Sequence, residues 1–424
     1  MKKIFISLLV VCTSNHSSAQ HYDVLDQVKA DPRKAGGMEG PHRFDIPAPT
    51  PSPKGYKPFY ISHYGRHGSR YAWSSKSYGL IRDVLQKAHD NDLLTERGKQ
   101  FYKDYMEFYE IPLINTGDLV PLGWEQHRQI ADWTYNNFPK VFGKGKHVDA
   151  IVSTAPRSIV SMSSFCIRLA QKSPTLVFSQ SSNHTGLTVA TPTSAPKELA
   201  RKFKEDDISH IETVSHFNDR FIDYDGILGR IFTDQSFLKE FSGGRSRFVD
   251  ELYGLIGGYH NYEERPLFDD LITTDQYCML WEAANYGSYY ADLTARYGNI
   301  PLLEDVIAKA DAAIADPTKA ADLRFGHDYV LEAFMCLINA DGCGTKPEKA
   351  SDVKYWFQSY NIPMAATAMF VFYRNRKDDI LFKLLLNEVE TSLPQLSPVS
   401  GPYYRWSDFT AWAKEMMAEH PEVK

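Results

Sequence analysis

Two guanidinium groups bracket one imidazole in the run Arg66-His67-Gly68-Ser69-Arg70. Guanidinium forks match the oxygens of a small phosphate-like dianion in a bidentate way that the point charge of lysine cannot. An imidazole held between two such groups is disfavoured as a cation, so His67 is expected to be neutral and able to act as a nucleophile. Gly68 has no Cβ, which would let the backbone approach an oxyanion. Two further points along the chain carry residues of matching chemistry, Arg157 and the dipeptide His327-Asp328. Read singly, Arg157 is an ordinary surface charge, and a His-Asp dipeptide occurs in many unrelated chains.

The elements around these residues repeat one pattern. Phe59, Tyr60 and Ile61, with Pro58 before them and Gly65 and Gly68 after, read as a short buried strand that runs straight into the Arg-His-Gly-Ser-Arg turn. A second buried strand over 149–155 ends at Pro156-Arg157, ahead of a serine-rich helix, so Arg157 sits near helix N–H groups that favour anions. A third strand over 321–326 delivers His327-Asp328 to the start of another helix, where the dipole supports a bound anion. The C-terminal edges of such strands open onto the crevice in which open α/β sheets bind ligands. Between these points, helical periodicity runs over 75–89 (Leu80, Ile81, Val84, Leu85, Ala88), over 95–109, and from Pro121 through Ile130, Trp133 and Phe138. The stretches 365–375 and 381–390, joined across Arg376-Lys377-Asp378-Asp379, read as a β-hairpin extending the sheet, and Tyr403, Tyr404 and Trp406 lead into a last helix.

On these residues the chain resembles the histidine acid phosphatases, whose hallmark is Arg-His-Gly-x-Arg-x-Pro; here Ala72 stands where that family usually has Pro. The departure touches loop stiffness more than chemistry, because proline supplies no phosphate ligand. The Arg70-Tyr71 pair is similar to that of the multiple inositol polyphosphate phosphatases within the family, whereas those enzymes typically carry His-Ala-Glu in place of His327-Asp328. Ser153, Thr154 and Arg157 match the family's strand, Ser-Thr pair and third phosphate-binding arginine. The resemblance implies that His67 attacks phosphorus, that Arg66, Arg70, Arg157 and His327 hold the phosphoryl oxygens, and that Asp328 protonates the departing alcohol. It implies a small-molecule phosphate monoester as substrate and no cofactor, the arginines doing the work a metal ion does elsewhere. Inositol polyphosphates such as phytate, sugar phosphates and a broad range of monoesters all remain open as substrates. A phosphomutase shares the Arg-His-Gly turn, but an export signal and a helical insertion argue against one; a non-catalytic phosphate-ester binder would keep the arginines and lose His67 or Asp328, and both are present.

The implied fold class is α/β, a mainly parallel Rossmann-like sheet flanked by helices with an inserted all-helical domain. Residues 20–195 and 314–424 are assigned to the core. Residues 196–313, where helical periodicity dominates and strands disappear, are assigned to the insertion. In the family such an insertion roofs the crevice and sets specificity; Arg201, Lys202, Lys204, Arg220 and Arg230 are its basic candidates. Residues 1–19 combine Lys2 and Lys3, the apolar run 4–12 and a polar stretch ending in Ala19, the pattern of a secretory leader, so a periplasmic or secreted location is expected. That apolar run is too short to span a bilayer.

The 424 residues, 43% hydrophobic with a formal charge of −6, make a globular chain of two-domain size and argue against nucleic-acid binding. A polyanionic substrate must then be drawn in by a local basic pocket. Beyond Cys12 there are four cysteines, Cys166, Cys278, Cys336 and Cys343, an even number that suits an oxidising compartment. Cys336 and Cys343, close together at the end of a predicted helix, are the pair to consider for a bridge. The 14 histidines are scattered, and no cluster has metal-ligand spacing.

Overall fold

The computed structural model describes residues 24–192, 208–262 and 267–421. The expected leader, the boundary at 196, and Arg201, Lys202 and Lys204 lie outside the described residues.

Eight strands form one sheet: β1 (Lys57–Arg66), β2 (His147–Val152), β3 (Val177–Ser181), β4 (Lys319–Gly326), β5 (Thr367–Arg374), β6 (Ile380–Leu386), β7 (Val389–Thr391) and β8 (Tyr404–Arg405). Their order is β3-β2-β4-β1-β5-β6-β7, with β8 also paired to β6. The sheet is mixed. It is parallel across β3, β2, β4 and β1 and antiparallel from β1 through β5, β6 and β7. The parallel half is made by strands each followed by a helix; the antiparallel half comes from the hairpin β5–β6, whose turn places Asp378 at φ 57°.

Nine helices matter for the site: α1 (Ser75–Asp90), α2 (Glu96–Phe108), α3 (Pro121–Asn137), α4 (Pro156–Lys172), α5 (Gly244–Tyr259), α6 (Thr274–Ala295), α7 (Ile300–Ala315), α8 (Asp328–Leu337) and α9 (Trp406–Ala418). Their starts follow local chemistry. The Ser74 and Thr95 side chains accept the N–H groups of Lys76 and Gly98 at the heads of α1 and α2. Pro121 and Pro156 sit in the first turns of α3 and α4, where no N–H is missed. Thr273 and Gln276 close a capping box on α6.

Both faces of the sheet are covered, as a parallel arrangement requires. Ile130 of α3 and Phe165 and Leu169 of α4 pack with Val148, Leu323, Met369 and Val371 on one face. On the other, Val306 of α7, Leu331 of α8 and Phe409 of α9 pack with Tyr60, Phe370 and Phe382. A third core is helical. It joins Val84 and Leu85 of α1 and Phe101 of α2 to Leu252 of α5 and Trp281 and Tyr286 of α6, so two helices that precede β2 share the apolar centre of the later helical stretch. No helix among the described residues is long and apolar enough to cross a membrane.

The four cysteines Cys166, Cys278, Cys336 and Cys343 are all free thiols, which corrects the bridge considered for the last pair. The Cys336 Sγ–H donates to the Cys343 carbonyl at 3.6 Å.

Candidate active site

Strand register brings the three distant segments together. β1 and β4 run parallel with Arg66 opposite Gly326, so the residues that follow, His67 and His327, emerge side by side with ring centroids 5.6 Å apart. The His67 N–H donates to the Gly326 carbonyl at 3.1 Å. On the other side of β4, Val152 of β2 lies opposite Phe325, the Ser153 N–H donates to the Phe325 carbonyl at 3.0 Å, and the chain turns into α4 with Arg157 in its first turn. The Ser153 hydroxyl lies 3.1 Å from His327 Nε2. Three adjacent parallel strands therefore end in His67, His327 and the Arg157 turn, at the edge where such sheets bind ligands.

The turn after β1 is fixed from outside. The Gly68 N–H donates to Ser161 Oγ of α4 at 3.0 Å, the Ser69 N–H to Gln126 Oε1 of α3 at 2.9 Å, and Ser69 Oγ–H to Asn261 Oδ1 at 2.6 Å. A Cβ on Gly68 would lie 2.3 Å from the Gly123 carbonyl oxygen, so glycine is required there by backbone packing against the start of α3. This replaces the expectation that Gly68 makes room for an oxyanion.

Arg66 is fully buried. Its Nη1 donates to the carbonyls of Met38 at 2.6 Å and Ile362 at 2.9 Å, and its Nη2 lies 2.6 Å from Asp328 Oδ2. Arg70 donates to the Tyr71 carbonyl at 3.0 Å and reaches Glu39 Oε1 at 3.5 Å. After these contacts the buried Nε groups of Arg66, Arg70 and Arg157 have no hydrogen-bond partner. Buried donors in folded proteins are almost always satisfied, so three orphaned guanidinium donors around one imidazole leave capacity for acceptor oxygens at this point of the molecule.

Burial, followed by the fields of Arg66 and Arg70, holds the His67 imidazole well below the usual histidine range, and it is therefore neutral. Its Nδ1 lies 3.0 Å from the Gly68 carbonyl, which can only accept, so Nδ1 carries the proton and Nε2 carries the lone pair. His327 is pushed down to about 4 by burial and then by Arg157, against an opposing pull from Asp328. Burial alone would raise Asp328, but Arg66, Arg70 and the Tyr329 N–H more than offset it and hold the carboxyl below its usual value. Arg157 acts on His67 and His327 and feels Arg70, Arg66 and Asp328 in turn, so all six candidate residues share one electrostatic site.

No protein-family model matches the chain, and no curated protein matches it in sequence. Solved structures do match in shape. The multiple inositol polyphosphate phosphatase of Bifidobacterium longum, in complex with inositol hexasulfate, superposes with a TM-score of 0.71 at 16% identity over 90% of this chain and 97% of that one. This chain shares that fold. The phytase of D. castellii (TM-score 0.65, 14% identity, 96% of this chain and 89% of that one) and that of Hafnia alvei in complex with tartrate (0.60, 13%, 86% and 98%) share it.

Within this fold, several contributors to the site have no sequence signal of their own. Glu39, Met38 and Ile362 hold the two arginines of the first motif from segments far away in the chain. A glycine-rich stretch around Gly36, Gly37 and Gly40 was the one hint that the chain before β1 does more than lead into it. The two basic candidates of the helical stretch that lie among the described residues are otherwise engaged. Arg220 pairs with Glu212 at 2.6 Å, and Arg230 donates to the carbonyls of Leu271 and Asp270. Beside the arginines the described surface is aromatic instead: Tyr71 stacks on Tyr262 at 5.1 Å, Tyr329 stacks on His327 at 5.5 Å, and Trp73 is 70% exposed.

Proposed function

We propose that this protein is an exported phosphomonoesterase that works through a phosphohistidine, with inositol polyphosphates as the leading substrate class. The observation that carries the reading is the neutral His67, its Nε2 lone pair free, set among three arginines with orphaned donors. In the first step Nε2 attacks phosphorus while Arg66, Arg70 and Arg157 neutralise the three non-bridging oxygens and the uncharged His327 helps to hold them. The bond to the alcohol oxygen breaks, and Asp328 delivers the proton that oxygen needs. Asp328 is ionised in the free site because Arg66 and Arg70 hold it so. A bound phosphoryl group competes for the same guanidinium groups, which returns proton affinity to the carboxyl. In the second step water attacks the phosphohistidine, Asp328 accepts its proton, and phosphate and neutral His67 are regenerated. Most of the acceleration would come from fixed positive charge at the oxygens, as in other phosphoryl transfers.

The names of the matching structures favour inositol phosphates as substrate. Residues 196–313 would roof the crevice over a core of 20–195 and 314–424, with α1 and α2 adding to that roof through the shared helical core. The test is a phosphate-release panel of inositol hexakisphosphate, glucose 1-phosphate and an aryl phosphate, run with a chelator present. Release from the inositol ester at the highest kcat/KM supports the full reading. Release from the aryl ester alone would keep the chemistry and discard the substrate class; no release from any of the three would discard both.

A further inference from the structure

Directly behind the proton donor lie two carboxyl groups to which the mechanism above gives no task. Glu332 is four residues after Asp328 on α8, hence on the same helical face one turn further in, and is 1% exposed. Asp292 of α6, 6% exposed, lies beside it where α6 packs on α8. Neither Glu332 oxygen has a well-formed hydrogen bond. The charged and titratable groups around the pair are Asp328 and Cys336 on the helix of Glu332 and Arg66 from β1. Arg66 is already paired with Asp328. Two buried carboxyls that face each other without a cation of their own cannot both ionise, because desolvation and mutual repulsion act in the same direction.

We propose that Asp292 and Glu332 are positioning residues for the anion site: both carboxyls are protonated in the working state, and loss of the first of their two protons puts a buried negative charge behind Arg66 and Asp328 that loosens the grip on a bound phosphoryl group. The inference rests on the phosphomonoesterase reading for its biological meaning, but its physics needs only the anion site. Burial and the neighbouring carboxylates push Asp292 up to about 7 and Glu332 well above the ordinary glutamate range, so the charge appears as pH rises through neutrality. The other groups of the site are silent there. His67 lies well below its usual range, His327 is at about 4, Asp328 is below the normal carboxylate value, and Tyr64 and Tyr329 are raised above the ordinary phenol.

Sulfate is the suitable probe, since it stays a dianion where phosphate itself titrates. Its dissociation constant is measured between about pH 5 and pH 9 at fixed ionic strength, in the unmodified protein and in the double variant Asp292→Asn/Glu332→Gln, which is near-isosteric and uncharged at every pH. The proposal expects sulfate to weaken by about tenfold through neutrality in the unmodified protein, the order of effect of one added charge at this range, and to stay flat in the variant. Equal slopes in the two proteins, or a flat profile in the unmodified one, overturn it. Should the double variant fail to fold, infrared spectroscopy on the unmodified protein decides the matter: a protonated-carboxyl band present near pH 6 and reduced to about half by pH 9 is expected, one proton of the two having left, and its absence near pH 6 overturns the proposal. A protein that shows the sulfate slope but releases no phosphate from any ester would leave the carboxyl pair standing and remove the phosphomonoesterase reading, whereas phosphate release with a flat sulfate profile would do the reverse.

Discussion

Two of the places where the described residues bury cations are finished differently. On β6, Lys383 is fully buried, and its ammonium meets Glu390 at 2.7 Å, the Thr50 carbonyl at 3.1 Å and the Tyr403 hydroxyl at 3.5 Å. Glu390 in turn accepts the Thr50 N–H and hydroxyl, at 2.7 and 2.6 Å, so the network closes on itself. At the ends of β1, β2 and β4, three guanidinium groups meet two carboxylates, Asp328 and Glu39, and three Nε donors remain orphaned. A closed network around one cation holds a segment down, here the proline-rich chain before β1. A surplus of buried positive charge with unspent donors costs stability and is retained where a ligand completes it.

That contrast makes graded predictions. The largest effect is expected for His67→Ala, which should abolish turnover while leaving a folded protein that still binds phosphate or sulfate through Arg66, Arg70 and Arg157; steady-state release above about one part in ten thousand of the normal rate would remove His67 from the role of nucleophile. Asp328→Asn comes next. It keeps the shape of the side chain and removes the proton, so hydrolysis of alkyl or inositol phosphates should fall by about a hundredfold or more, with a clearly smaller loss for an activated aryl phosphate whose leaving group barely needs protonation. Equal losses for both ester types would mean that Asp328 only orients Arg66 or His327.

The third prediction sets the two regions directly against each other. Lys383→Met should leave kcat and KM unchanged and lower stability by about 2 kcal/mol, because Glu390 loses its partner but keeps some solvent. Arg157→Ala should do the opposite, raising KM or lowering kcat by at least about tenfold with no loss of stability, since it removes like-charge repulsion with Arg70 and Arg66. Denaturant titration and steady-state kinetics on the two variants check both halves; a stability loss in Arg157→Ala matching that of Lys383→Met would erase the distinction. The smallest effect is expected from chelation, which should leave the rate unchanged if fixed arginines supply the positive charge, and activity lost to a chelator and restored by a divalent ion would overturn that account.

The parts of this arrangement that sequence exposes are those written locally. Breaker-bounded apolar runs mark β1, β2 and β4, and each leads into a candidate site residue, so the strand-end pattern is legible before the topology is known. The hairpin β5–β6 was equally plain from two apolar runs around a charged turn. What tertiary structure decided was out of reach. Glu39 meets Arg70 and Ile362 meets Arg66 only because the sheet order places their segments together, and Gly68 looks like a ligand-facing glycine until Gly123 is seen packed against it. Asp292 and Glu332 read as ordinary polar positions on two amphipathic helices; their burial and mutual approach come from α6 docking on α8.

The central claim is that His67 Nε2 becomes bonded to phosphorus during turnover. The direct measurement is to mix the protein with a radiolabelled phosphate monoester, quench in alkali, where phosphohistidine survives, and map the label by peptide sequencing. The account predicts label on the peptide containing His67 in the unmodified protein, more of it in Asp328→Asn with an aryl ester if water attack is slowed, and none in His67→Ala. Turnover with no protein-bound phosphate under these conditions, or label on any residue other than His67, would contradict it.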